Sequence, residues 1–175
     1  MRTIRTKLYK FAELSEISKQ KVIQSLSDIN VDCEWWDYIY EDALRIGLKI
    51  TGFDIDRGNY CSGDLLDSMI EVCAKIFENH GETCETYKTA QSFLKKWAQL
   101  VAEHSDGLQK DKVCEDKEHE FDQLADELKD QFLICLCNDY RIMLQKEYEY
   151  LTSEMAIIET IEANDYEFTQ DGKMF

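Results

Sequence analysis

A chain of 175 residues has the size of one domain and can bury about 70% of its unfolded surface, so a single core suffices. With 44% hydrophobic and 11% aromatic residues it is not a disordered polymer despite its 32% charged content, and no apolar run approaches the ~20 residues of a membrane span. Thirty-six acids against twenty bases give a net charge of −16, which disfavours direct nucleic-acid binding because such binding neutralises phosphates with Lys and Arg.

Residues 1 to 31 depart from this balance. They hold six bases and three acids, a net of +3, so the other 144 residues carry −19 and any nucleic-acid contact is confined to this basic segment. Its opening, MRTIRTKLYK, lacks the apolar stretch of a secretory signal, and the expected location is the cytoplasm. Ile4, Thr6 and Leu8 alternate with Arg5, Lys7 and Tyr9 as in a strand. Ser15 then caps a helix containing Val22, Ile23, Leu26 and Ile29. A second helix is expected after Asp32, running through Trp35, Trp36, Ile39, Tyr40, Ala43, Leu44 and Ile46 to a stop at Gly47. Adjacent tryptophans lie ~100° apart on a helix, so one faces the core more squarely than the other.

From Lys49 to Ile55 the pattern alternates Ile50, Gly52 and Asp54 against Thr51, Phe53 and Ile55, with turn chemistry at Arg57-Gly58-Asn59 and a return strand from Tyr60 to Leu66. A helix with Met69, Ile70, Cys73, Ile76 and Phe77 inward ends at Gly81, and Tyr87 to Ala102 is helical again. His104 to Glu118 is the least apolar segment and is expected to be a flexible loop, around 104–118. From Phe121 to Leu151 the residues Phe121, Leu124, Leu128, Phe132, Cys135, Leu136, Tyr140, Met143, Leu144, Tyr148 and Leu151 recur at steps of three and four without Gly or Pro. That spacing predicts one helix roughly 45 Å long, with Asp122, Asp126, Glu127, Asp130, Asp139, Glu147 and Glu149 facing water. Ser153 caps a last helix, and Tyr166 to Thr169 is a final strand before an Asp171-Gly172 turn. The expectation is an α+β domain spanning 1–175, in which a small antiparallel sheet packs against several helices around one long central helix.

No motif dictates a reaction. Seven cysteines without C-x-x-C read as reduced, mostly buried thiols, and Cys135 and Cys137 at i, i+2 point to different sides of a helix, where they cannot easily share a zinc ion. Counted from Asp54, an EF-hand loop fails at Gly58, Asn59 and Leu65. Asp54 and Asp56 share a strand face, where two carboxylates could hold Mg²⁺ or do acid/base work, although a solvated face answered by Arg57 is the simpler reading. His80, His104 and His119 stand apart from any nucleophile motif, and His80 suits the C-terminal end of a helix dipole. No cofactor and no resident metal are expected.

The acids cluster: seven lie within 32–56, six within 64–86, and eight, with no base, from Glu147 to Gly172. On a folded surface such density steers and binds basic partners, including channels that hold nucleic acid, although a generic solvated surface has the same counts. Thr6 to Phe11 with Glu13-Leu14-Ser15, Glu34-Trp35-Trp36, Gly52 to Gly58, His80-Gly81-Glu82-Thr83, Asp139 to Tyr148 and Ile161 to Asn164 together resemble a family of small acidic proteins carried by phages, plasmids and other mobile elements of gut bacteria, across nearly the whole chain. That group is associated with anti-CRISPR inhibition of Cas9, and it brings no catalytic residue. The resemblance implies a non-enzymatic binding protein whose basic partner is a Cas9-type nuclease. Asp54, Asp56, Arg57, Glu82 and Glu85, close in chain and charge, are the expected partner-binding residues. Alternatives are a metal-dependent enzyme using Asp54 and Asp56, or an antitoxin-like module neutralising another basic partner.

Overall fold

The computed structural model describes residues 6–105 and 115–175, which form an α+β fold with six α-helices and two separate antiparallel pairs of strands. The strand expected from Ile4 falls partly outside the described residues, as does the loop expected around 104–118. Within the described residues, helix covers the chain up to Ser105 and again from Glu115. Contacts divide the chain into two compact units, Met1–Trp35 with Gln145–Phe175, and Trp36–Leu144.

In the first unit, β1 (Tyr9–Lys10) pairs antiparallel with β4 (Glu167–Phe168). α1 (Glu16–Ser25) begins where the Ser15 hydroxyl accepts the Ser18 N–H, and α6 (Glu154–Ala163) begins where the Ser153 hydroxyl accepts that of Ala156. Each satisfies a donor that the first helical turn leaves unpaired. Phe11, Leu14, Val22, Ile23, Ile157, Ile161 and Phe168 form the core, with the Phe11 and Phe168 rings edge to face at 6.4 Å. Each such burial contributes about 1.5–3 kcal/mol. Gly172 takes φ +85°, and a side chain there would meet the Ser18 carbonyl, so the predicted Asp171-Gly172 turn has both a conformational and a packing reason for glycine.

In the second unit, α2 (Asp37–Arg45) starts four residues later than expected. Asp32 does not cap it; Trp36 occupies that position without a side-chain cap bond. Trp36 packs on Phe53 at 5.5 Å, whereas Trp35, which belongs to the first unit, packs on Tyr148 of that same unit at 5.7 Å, and both are half-buried. β2 (Leu48–Asp54) and β3 (Tyr60–Leu65) form the expected hairpin, but the register slips between Ile50 and Gly52. Thr51 is the extra residue of a bulge. Beyond it the alternation reverses, so Phe53, rather than Gly52, joins the face of Leu48 and Ile50 and meets Trp36 and Tyr40.

α3 (Met69–Asn79) is opened by a reciprocal cap between Ser68 and Glu71, and its buried residues are Val72, Cys73 and Ile76; Ile70, expected inward, is exposed. α4 (Glu85–Ser105) and α5 (Glu115–Leu151) meet through the stacked rings of Phe93 and Phe132 at 4.5 Å. Of the predicted α5 stripe, Phe132, Leu136, Tyr140 and Leu144 are buried, whereas Leu124, Cys135 and Met143 are exposed, because the covered face is narrower than the apolar pattern. No helix among the described residues is long and apolar enough to cross a membrane.

Candidate functional site

The β2–β3 turn contains three of the expected partner-binding residues. Asp54 ends β2 and folds its carboxylate back over the turn: Oδ1 accepts the N–H groups of Asp56 and Arg57 at 2.9 and 3.0 Å, and Oδ2 accepts that of Gly58 at 2.9 Å. These bonds hold the Asp54 carboxyl below the usual carboxylate range, led by the Asp56 N–H. The two aspartates therefore do not form a carboxylate pair on one strand face. Asp54 shapes the turn, and Asp56 projects from it with its side chain 90% exposed, beside the equally exposed Arg57. Glu82 and Glu85 sit on a separate segment, Glu82 exposed between α3 and α4 and Glu85 in the first turn of α4, paired with Lys88 at 2.7 Å.

A buried polar network, absent from the sequence expectations, joins four helical segments of the same unit. Tyr140 of α5 donates its hydroxyl to Asp42 Oδ2 of α2 at 2.9 Å. His80, at the C-terminal cap of α3, places Nε2 3.3 Å from that same oxygen, within ion-pair reach but out of line for a hydrogen bond. Its Nδ1 shares a 2.6 Å hydrogen bond with the hydroxyl of Thr86 in the first turn of α4. His80, foremost, and Tyr140 lower the Asp42 carboxyl against the opposing effect of burial. Burial, then the Asp42 charge, raises the Tyr140 phenol. His80 thus sits at the helix C-terminus expected of it, and its side chain, only 9% exposed, also joins this network. The hydroxyl–imidazole–carboxylate order is that of a nucleophile relay, but Thr86 is buried, and the array acts as a clamp between helices.

Asp139, expected to face water, is half-buried and accepts a 2.7 Å hydrogen bond from Thr89. Burial raises its carboxyl, the Thr89 bond opposes, and the nearby Glu85 charge adds to the rise. Among the described residues no three His, Cys, Asp or Glu side chains are grouped as metal ligands.

Two grooves open on this unit. One of about 370 Å³ lies between α4 and α5 over Phe93 and Phe132, with Lys88 and Lys96 along it. The other, of about 330 Å³, runs between β3 and α5 and is lined by Asn59, Cys61, Ser62, Ile134, Cys137 and Arg141. Arg141 is fixed there by three hydrogen bonds, from Nη1 to Asn59 Oδ1 at 2.7 Å and from Nε and Nη2 to Asn138 Oδ1 at 3.1 Å each. The expectation of mostly buried thiols holds for Cys73 and Cys137, whereas Cys33, Cys84 and Cys135 are exposed. Cys114 lies outside the described residues.

The sequence contained one overlooked signal for the buried network. Asp42 falls on the same face of α2 as Ile39, Ala43 and Ile46, and an acid inside an apolar stripe requires a buried partner. Comparison with family models, with characterised proteins and with solved structures returned no match.

Proposed function

We propose that this protein is a non-catalytic acidic binding protein that inhibits a nucleic-acid-binding defence nuclease, with Cas9 as the target, in the cytoplasm of a bacterial host. It acts by occupying the positively charged surface on which the nuclease engages DNA. The observation that carries this reading is the exposure of the acids on well-held elements. Asp56 stands at the tip of a turn organised by Asp54, and Glu82 stands between two helices. Glu120, Asp122, Asp126, Glu127 and Asp130 are all exposed along α5. Asp122, Asp126 and Asp130 recur at steps of about 6 Å along the helix axis. Carboxylates held in this way lose little conformational freedom on meeting a cationic channel, and the channel that holds the guide heteroduplex in Cas9 is of that kind. The sequence resemblance supports the choice of nuclease.

The test is cleavage of target DNA by a Cas9–guide complex with the protein titrated in, at low and high salt, beside an unrelated protein of equal negative charge. Inhibition near one-to-one stoichiometry, absent with the control, is the expected result. Full cleavage by several Cas9 orthologues at large excess would overturn the reading.

A further inference from the structure

The groove between β3 and α5 holds a cation that the binding reading does not use. Arg141 is half-buried, and its guanidinium donates only to side-chain amides: Nη1 to Asn59 Oδ1 of the β2–β3 turn at 2.7 Å, and Nε with Nη2 to Asn138 Oδ1 of α5 at 3.1 Å each. Two elements therefore fix its plane. Both acceptors are uncharged, and no carboxylate among the described residues forms an ion pair with Arg141. In a chain with 36 acids that is a telling choice, since aspartate at either position would hold the guanidinium as firmly and cancel its charge. Asparagine orients the cation and leaves the charge in place.

Donors remain as well. A guanidinium has five N–H groups, so these three bonds leave one on each terminal nitrogen. Arginine accepts no hydrogen bond, so each asparagine turns its oxygen toward it and keeps its NH2 group for another acceptor. Asn59, Asn138 and Arg141 all border the groove, no Asp or Glu lines it, and its apolar side includes Leu133, Ile134 and Tyr60. Ile134 is 67% exposed and Tyr60 51%, which leaves both free to be covered.

We propose that this groove binds a small organic oxyanion, a carboxylate or phosphate ester carried on an apolar body the size of one aromatic ring. The head accepts from the spare N–H groups of Arg141 and from the asparagine NH2 groups, and the body lies against Ile134, Leu133 and the Tyr60 ring. A volume of about 330 Å³ matches the lower end of small-molecule sites. A guanidinium already fixed in plane loses little freedom on meeting a two-oxygen head. The charge of −16 works against an extended polyanion such as nucleic acid or an acidic membrane, whereas a single small anion is governed by the nearby cation.

The experiment titrates the full chain, labelled with nitrogen-15, with benzoate and with phenyl phosphate, and reads the NMR signals of Arg141 Nε–H and of the Asn59 and Asn138 NH2 groups. Both probes are expected to move all three along one saturable curve, and the tighter of the two assigns the head as carboxylate or phosphate ester. Benzyl alcohol, which has the ring without the charge, is expected to move none. Inorganic phosphate, which has the charge without the ring, is expected to bind about tenfold more weakly than phenyl phosphate. Arg141→Gln is expected to abolish the response. Asn138→Asp keeps an acceptor for Nε and Nη2, so its urea midpoint is expected to stay at the wild-type value while both probes bind about tenfold or more weakly. Shifts absent from these three residues, or unchanged affinity in a folded Asn138→Asp, would overturn the site. Equal binding of inorganic phosphate and phenyl phosphate would overturn the apolar body.

Discussion

Two aspartates of the same unit respond to burial in opposite ways, because their partners differ. Asp42 meets a histidine and a phenol, and its carboxyl is lowered; Asp139 meets one hydroxyl and a nearby glutamate, and its carboxyl is raised. A lowered carboxyl contributes stability that is complete above its unfolded value, about 3.9, and is lost as pH falls through the folded one. A raised carboxyl contributes stability that is complete below that unfolded value and is lost as pH rises through the folded one. Asp42→Asn should therefore flatten the acid limb of a stability–pH profile. Asp139→Asn, which can still accept from Thr89, should raise the urea midpoint at pH 7 and have little effect at pH 3 (about one unit below the unfolded value). Equal shifts at both pH values would show that Asp139 costs the fold nothing as an anion. Tyr140→Phe removes the hydroxyl donated to Asp42 and leaves that carboxylate short of a partner, an expected loss of about 1–3 kcal/mol by chemical denaturation. An unchanged midpoint would mean that the clamp contributes no stability. The Tyr140 phenol is raised, so its contribution should fade as pH climbs above the unfolded tyrosine value of about 10.

At the level of elements, the hairpin depends on close approach between its strands. A side chain on Gly63 would lie 2.6 Å from the Lys49 carbonyl, a backbone atom that cannot swing aside, whereas one on Gly81 would meet nothing within 4 Å. Gly63→Ala is expected to cost about 1–3 kcal/mol and Gly81→Ala to stay within about 0.5 kcal/mol of wild type, read from urea midpoints. Comparable losses at both positions would remove strand approach as the cause. Asp54→Ala should lower the midpoint as well, since three turn N–H groups lose their acceptor. Much of this architecture was legible in the chain because its signals are local. Ser15 and Ser153 cap the helices they were expected to cap, Gly47 ends α2 at φ +88°, and the three-to-four spacing through Leu144 marks the long helix. The bulge at Thr51 was not legible, because an extra residue leaves composition unchanged while reversing every later side chain in the strand. Nor was the Asp42–His80–Thr86–Tyr140 network, whose members lie far apart in sequence and meet only through tertiary packing. Among the expected partner-binding residues, spacing put Arg57 at the turn but read Asp54 and Asp56 as one strand face, whereas Asp54 is occupied in building the turn from which Asp56 projects.

For the molecule as a whole, a charge of −16 gives a long-range field, and a field alone does not distinguish one basic partner from another. Specific inhibition requires particular carboxylates to meet particular cations, which makes the response to local charge reversal the informative quantity. Asp56→Lys combined with Glu82→Lys changes the net charge by +4 without disturbing the Asp54 bonds that hold the turn. Reversing Glu159 and Glu162, both exposed on α6, changes it by the same amount in the other unit. If the turn and the α3–α4 segment form the contact, the first pair should raise the concentration for half-inhibition of Cas9 cleavage by about tenfold or more, on the scale of desolvated charge pairs. The second pair should then produce only the smaller, salt-screened change expected from weaker steering. That difference should persist at high ionic strength, because contact pairs are screened less than distant charges. Equal effects from the two pairs, both vanishing as salt rises, would mean that inhibition follows net charge and that the turn is not the contact surface.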